Sequence, residues 1–301
     1  MTVGSTKVAR IKLNAQSFLS TNGMPISTSV PIRVNSARLA SVFRYKGKHM
    51  RYLLVPALTA LLTLSSTAFA AVSPDILQSQ GRSDAAHAAD AGRRPIELLN
   101  FYDVKPGERV LDLMAGGGYY SELIGKVVGP KGSVIAFDLP IGEDGSATKE
   151  RESWKKLQER NPNVHFVGGD IAHPAFAPAS FDFALLHLIY HDLYWESAQY
   201  HYPHCDPDEV LKRLFAAMKP GAIVGVVDHV ADPNGDTRAT VDKLHRIDPA
   251  VVKADFKRAG FELVGESPLL MTGQDDHRKL VFDAAVRGKT DRFVFKFRKP
   301  K

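Results

Sequence analysis

Residues 109–140 follow an order that few folds accommodate. An apolar run from Arg109 to Leu113 leads into a loop with Gly116 and Gly118. A helical stretch then covers about Tyr119 to Val127, a turn falls at Gly129-Pro130, and a second apolar run from Ser133 ends at Asp138. Two short buried-type strands joined by a helix make a parallel crossover unit, which requires a sheet covered on both faces. Gly116 and Gly118 lack Cβ, so the loop backbone can turn sharply and come close to a ligand. Asp138 lies 20 residues beyond Gly118, at a strand end where a carboxylate can accept hydrogen bonds from two ribose hydroxyls.

The same alternation continues downstream. The pattern predicts a charged helix over Ser146–Arg160 and strands over Val164–Val167 and Phe183–His187. A helix capped by Asp206, with Pro207 in its first turn and Glu209 completing a capping box, ends near Met218. Strands follow at Ile223–Val227 and Phe261–Val264, separated by a helix capped by Asp248 and stopped at Gly260. Phe293–Phe297 alternates with charged residues and fits a last strand near an edge. Upstream, Pro95–Tyr102 reads as a short helix, preceded by a loose lead-in. The expected class is α/β: a Rossmann-like, doubly wound sheet of about seven strands, mostly parallel, with one antiparallel strand near the C-terminus.

Residues 1–70 read differently. From Met50 a basic start, an apolar run from Tyr52 to Leu64 and the pattern Ala68-Phe69-Ala70 form a secretory signal with cleavage before Ala71. The run is short for a membrane span, and no stop-transfer segment follows. Residues 1–49 are expected to be a disordered upstream segment left by a start codon set too early. A transit peptide is the alternative, since residues 1–74 contain no Asp or Glu. The expected organisation is therefore 1–49 upstream segment, 50–70 signal peptide and 71–301 one domain. The location is periplasmic or secreted, with organellar or cytoplasmic placement as the alternative.

The leader also explains the charge. The chain carries 39 basic and 33 acidic residues, a net of +6, but nine of the bases fall within residues 1–51. The remainder has 30 bases and 33 acids, a balance that gives no nucleic-acid footprint. Cys205 is the single cysteine. No internal disulfide is possible, and about 230 residues build a core without one.

Two details select the ligand. The third glycine of a dinucleotide loop is replaced by Ser121, and Asp112 would repel a pyrophosphate. A carboxylate there suits a cationic amino group instead. S-adenosylmethionine offers an ammonium for Asp112, a carboxylate for the loop N–H groups, a ribose for Asp138 and an adenine amino group for Asp170. The cofactor set is thus Asp112, Gly116, Gly118, Asp138 and Asp170.

With these residues in place, the chain resembles the class I S-adenosylmethionine-dependent methyltransferases. AGGGYYSELIG, IYHDLYW, VVDHV, HRIDPAVVKADFKRAGF, DDH and FDAAVRGKTDRFVFKFRKPK further resemble a family of exported bacterial predicted methyltransferases, over nearly all of residues 83–301. Met114 departs from the pattern, standing where most class I enzymes have the first loop glycine.

Histidines cluster beyond the later strands. His191 is the first candidate for a general base and His229 the second, with Asp228 beside it. Tyr190, Tyr194 and Trp195 could wall an acceptor. By analogy with cation-dependent O-methyltransferases, Asp192, Asp228 and His229 could instead hold a divalent metal, with histidine favouring a transition ion. The expected activity is methyl transfer to an unidentified small-molecule acceptor, with no nucleic-acid partner and no membrane span after signal cleavage. The alternatives are a non-catalytic exported binding protein and, more weakly, a nicotinamide oxidoreductase.

Overall fold

The computed structural model describes residues 71–301 apart from Asp144 and Asn234; the leader expected at 1–70 lies outside the described residues. The described residues form seven α-helices and seven strands, which alternate from β1 to β3. The helices are α1 (Asp84–Arg93), α2 (Pro95–Tyr102), α3 (Tyr119–Val128), α4 (Thr148–Arg160), α5 (Pro207–Ala217), α6 (Thr237–Leu244) and α7 (Pro249–Arg258). The strands are β1 (Arg109–Leu113), β2 (Ser133–Asp138), β3 (Val164–Gly168), β4 (Phe181–His187), β5 (Met218–His229), β6 (Glu262–Ser267) and β7 (Arg292–Arg298).

The strands form one sheet in the order β3-β2-β1-β4-β5-β7-β6. Only β7 runs against its neighbours, pairing antiparallel with both β5 and β6. It lies inside the edge, which β6 occupies. The order reverses between β1 and β4: the chain first moves outward to β3 and then returns. That reversal opens a crevice at the carboxyl ends of β1 and β4, where ligands bind in open α/β sheets.

Strand periodicity sorts the core. Val110 packs with α2, α3 and α4 on one face, against Leu98, Leu123, Ile124 and Trp154. Leu111 and Leu113 pack on the other, with Leu211 and Leu214 of α5 and Phe256 of α7. Asp112 shares the face of Val110, so its carboxyl points under α3.

Some local readings change. Asp206 caps α5 through the Asp208 N–H at 3.0 Å, but Glu209 accepts from Arg213 Nε at 2.8 Å, so the capping box does not close. Helix α5 ends at Ala217, as expected, but the next strand begins at once, at Met218 rather than Ile223, and takes in Lys219, Pro220 and Gly221. They lie within β5, where the register with β4 shifts between Phe181 and Phe183 and Gly221 has φ +81°. Helix α6, absent from the sequence reading, buries only Thr240 and Val241, too little apolar pattern to be seen. Among the described residues no helix is long and apolar enough to cross a membrane.

Candidate active site

The crevice above β1 and β4 is a cleft of about 890 Å³, within the roughly 300–1,000 Å³ common for small-molecule sites. Asp112, the glycine loop, Tyr119 and Tyr120 form its floor; His187 and Leu188 close one side; α1 and α4 wall the others.

The glycine loop has the geometry of a cradle. Gly116 has φ +55°, and a Cβ there would meet nothing within 4 Å, so its outer face is open space. Gly118 has φ +78°, and a Cβ would lie 2.7 Å from Leu157 and 2.8 Å from Trp154. Only glycine both turns the chain there and lets α4 close on it. Met114 also takes a left-handed backbone, φ +57°, at an intrinsic cost of about 1–2 kcal/mol. It is held by its N–H to Phe137 O at 2.7 Å and by burial of its side chain in the core. Leu188, on the opposite wall, has φ +61°. Two non-glycine residues in this strained region, both lining one cleft, mark a place where the surroundings enforce the backbone.

The three acids chosen from sequence occupy three different settings. Asp112 is 3% exposed and accepts from Ser121 Oγ at 2.6 Å. Burial pushes its pKa up to about 7, and the nearby Asp138 charge adds to this. Asp138 sits behind the loop: its two oxygens accept from the Gly116 and Leu139 N–H groups, both at 2.7 Å. Its pKa is also raised, by burial, against the pull of those two bonds. Asp170 is turned to solvent, 60% exposed, where it accepts from the Ala172 and His173 N–H groups and pairs with His173 Nδ1 at 3.0 Å. Asp112 alone of the three lines the cleft.

Sequence reasoning missed other lining residues. Arg93, at the end of α1, stacks its guanidinium over Tyr119 at 4.3 Å and makes no ion pair among the described residues. His187, at the end of β4, lies 4.4 Å from the Tyr120 ring, and its buried Nε2 has no hydrogen-bond partner. Burial, with Arg93 and Arg292 nearby, holds it well below the usual histidine pKa, hence neutral. Helix α1 is fastened over the cleft by Asp90, which accepts from Arg82 at 2.6 Å and from the Tyr119 hydroxyl at 2.6 Å. The strand-end position of His187 was the only sequence signal for any of these.

Beyond β4 and β5 lies a second group. Asp228, fully buried, accepts from His191 Nδ1 and from the N–H groups of His191 and His229, at 2.7–2.8 Å. His191 Nε2 is 3.2 Å from Asp192 Oδ1, and His245 Nδ1 is 3.6 Å from the same oxygen. Burial alone would push His191 down; Asp228 and Asp192 outweigh it and hold the ring protonated, near pKa 10. Asp192 shows the reverse: burial opposes its charge, but His191 and His245 lower it to about 2. His229 is pushed down to about 3 by burial and is neutral, its Nδ1 bonded to Thr290 Oγ1 at 2.7 Å. In this state His191, the first-choice base, is an imidazolium with no lone pair for a proton. The expected metal set of Asp192, Asp228 and His229 does not converge among the described residues. The group that does is His191, Asp192 and His245.

The two groups are joined through aromatic contacts. The Tyr202 hydroxyl reaches Met114 Sδ at 3.9 Å, and its ring lies 5.1 Å from Trp195, which lies 5.2 Å from His245.

A family model described as a methyltransferase domain matches residues 104–280, more than half the chain. A 2-phytyl-1,4-naphtoquinone methyltransferase of Synechococcus elongatus is 32% identical over 130 residues, 41% of this chain and 47% of that protein. An arsenite methyltransferase of Halobacterium salinarum is 28% identical over 200 residues, 61% of this chain and 44% of that protein. The chain thus spans about half the length of these curated relatives. Among solved structures, the [4+2]-cyclase SpnF superposes with a TM-score of 0.50 at 15% identity, covering 73% of this chain and 85% of its own, a likeness of fold alone. By its family match, its sheet order and its glycine-loop cleft, the chain belongs to the methyltransferase-domain family, with the fold of the class I S-adenosylmethionine-dependent methyltransferases.

Proposed function

We propose that the chain transfers the methyl group of S-adenosylmethionine to a small-molecule acceptor, with the amino-acid end of the cofactor held between Arg93 and Asp112. One observation carries this reading. The cleft at the switch point sets an uncompensated guanidinium near a buried carboxylate and adds an unpartnered imidazole nitrogen on His187. A zwitterion answers all three: its carboxylate meets Arg93, and its ammonium meets Asp112 and the His187 lone pair. The ribose falls to Asp138, whose oxygens keep lone pairs beyond those facing Gly116 and Leu139. Asp170 stands farther out, on the adenine side.

When bound, the cofactor supplies a methyl group already activated by positive sulfur. The protein's task is orientation, worth up to about 7–11 kcal/mol in favourable cases. The acceptor's lone pair forms the new bond to the methyl carbon, and the broken C–S pair stays on sulfur. Burial holds His229 at about pKa 3, with its Nδ1 on Thr290 Oγ1, so it is a weak proton acceptor; the acceptor's proton leaves to water, or the acceptor enters already deprotonated. Asp228 and His191 act as positioning residues. Trp195 and Tyr202 line the route from Met114 to His245, and Tyr200 and Phe282, 66% and 57% exposed, extend this aromatic surface to solvent. Such a surface suits a planar, apolar acceptor. The acceptors named for the two relatives, a naphthoquinone and arsenite, are both small molecules.

Calorimetry of the full chain with S-adenosylhomocysteine tests the proposal. Saturable binding is expected, weakened roughly ten- to hundredfold in Asp138→Ala by the loss of a charged hydrogen-bond acceptor. A chain that binds neither S-adenosylmethionine nor its product ends the methyltransferase reading. We also propose residues 50–70 as an export signal. Expression from Met50 in a bacterial host should yield a mature protein starting at Ala71, and an unprocessed N-terminus argues against it.

A further inference from the structure

We propose that His191, Asp192 and His245 form a binding site for one divalent transition-metal ion. The group lies outside the cofactor cleft, and the inference does not depend on what that cleft binds.

The first argument is distance. One ligand atom from each residue lies within 4.8 Å of the others, with Asp192 Oδ1 at 3.2 Å from His191 Nε2 and 3.6 Å from His245 Nδ1. Ligand atoms bound at about 2.0–2.1 Å in a tetrahedron stand about 3.3 Å apart. Two of the three separations match that spacing, and the third stays within 4.8 Å, so a small shift of the His245 ring brings all three to one centre. The Nδ1 and the backbone N–H of His191 both reach Asp228, which leaves Nε2 as the ring nitrogen that faces Asp192.

The second argument is the support behind the ligands. A metal-binding histidine turns one ring nitrogen to the ion and gives the other N–H to a carboxylate, which sets the tautomer and the ring plane. Asp228, fully buried at the end of β5, holds His191 in that manner at 2.8 Å. A cation at the centre meets Asp192 directly and Asp228 through the His191 ring.

The third argument is backbone placement. His245 ends α6 in a left-handed conformation, φ +50°. A non-glycine residue held there, with its side chain only 15% exposed beside Asp192, is one that the fold positions at some cost. Two imidazoles and a carboxylate favour zinc, cobalt or iron over magnesium. Three protein ligands leave a coordination position open, as in catalytic rather than structural zinc sites. His245 lies between Trp195 and Phe282, at 5.2 and 5.1 Å, so an oxygen-bearing acceptor resting on that aromatic surface has a route to the open position.

The test uses the full chain stripped with chelator and titrated with Co²⁺, read by visible d–d absorption, and with Zn²⁺, read by calorimetry. One equivalent should bind. His245→Gly suits the positive φ and removes only the imidazole; Asp192→Asn removes the charge. Each should weaken binding by at least tenfold, the lower end of the loss seen when even a supporting residue of a metal site is removed. Circular dichroism checks the fold of each variant. S-adenosylhomocysteine affinity, measured on the same samples, should stay unchanged, which separates failure here from failure at the cofactor cleft. No saturable Co²⁺ or Zn²⁺ binding, or binding that both folded variants retain in full, overturns the proposal.

Discussion

The two sides of the switch point handle buried charge in opposite ways. On the β1–β2 side, Asp112 and Asp138 are each met by neutral donors, a serine hydroxyl and two backbone N–H groups. Their negative charge is not balanced by an ion pair, and both carboxyls are pushed upward by burial. On the β4–β5 side, His191 stands between Asp228 and Asp192, and Asp192 also faces His245. There histidine outweighs burial and Asp192 is drawn down to about 2. The first side is electrostatically incomplete, and under the proposed function the ammonium of the cofactor would complete it. The second pairs its charges internally, with His191 set between two carboxylates.

This contrast can be broken by experiment, starting with the support of the second side. Arg246 and Asp275 form a bidentate pair at 2.7 and 3.0 Å, with side chains 0% and 1% exposed. Asp275→Asn leaves a buried guanidinium without its counter-charge, at an expected cost of about 3–5 kcal/mol in urea denaturation. Cofactor affinity should not change in the variant while it is folded. A loss below 1 kcal/mol would show that this side does not depend on internal pairing.

On the cofactor side, Gly118→Val adds a branched side chain at φ +78° into Leu157 and Trp154. Backbone strain and overpacking together should cost about 2–5 kcal/mol, and S-adenosylhomocysteine binding should disappear. Retained binding would mean that the loop is not the cradle.

A smaller effect concerns pH. The folded Asp112 pKa of about 7 lies above its ordinary 3.8. Between those values the folded chain holds a proton that the unfolded chain has released. The stability this carboxyl contributes is thus complete below about pH 4 and is lost as pH rises to about 7. The ammonium of the cofactor prefers the ionised form, so affinity should rise about tenfold from pH 6 to pH 8. Asp112→Asn should flatten that profile, and an equally steep profile in the variant would assign the titration to another group. The smallest effect is expected at Asp170, whose oxygens serve their own turn. Asp170→Ala should reduce cofactor affinity only a few-fold, about 0.5–1 kcal/mol; a hundredfold loss would place it at the centre of the site.

The comparison also separates what could be read from the chain from what could not. The glycine loop, its flanking strands and the caps Asp206 and Asp248 were legible, because each is a local pattern of a few residues. Asp248 does cap its helix, accepting from the Ala250 N–H at 2.8 Å. Asp112 and Asp138 were recognisable as strand-end acids, but not the partners that set their charge. Arg93 carries no local signature, and His187 only its position at a strand end. His245 stood out only as one of the histidines beyond the later strands; its pairing with Asp192 was not legible, since α6 lacks a clear apolar stripe and ends beside an aspartate distant in sequence.

Alternating hydrophobic runs and turn residues act within a few positions, so the amino-acid order alone determined an α/β sheet with a nucleoside-type loop after its first strand. Which acids stay charged, which histidines are protonated and which three side chains meet around one point were decided by packing. Those properties depend on burial and on distances between residues far apart in the chain, and neither exists until the sheet is assembled and α1 and α6 have docked.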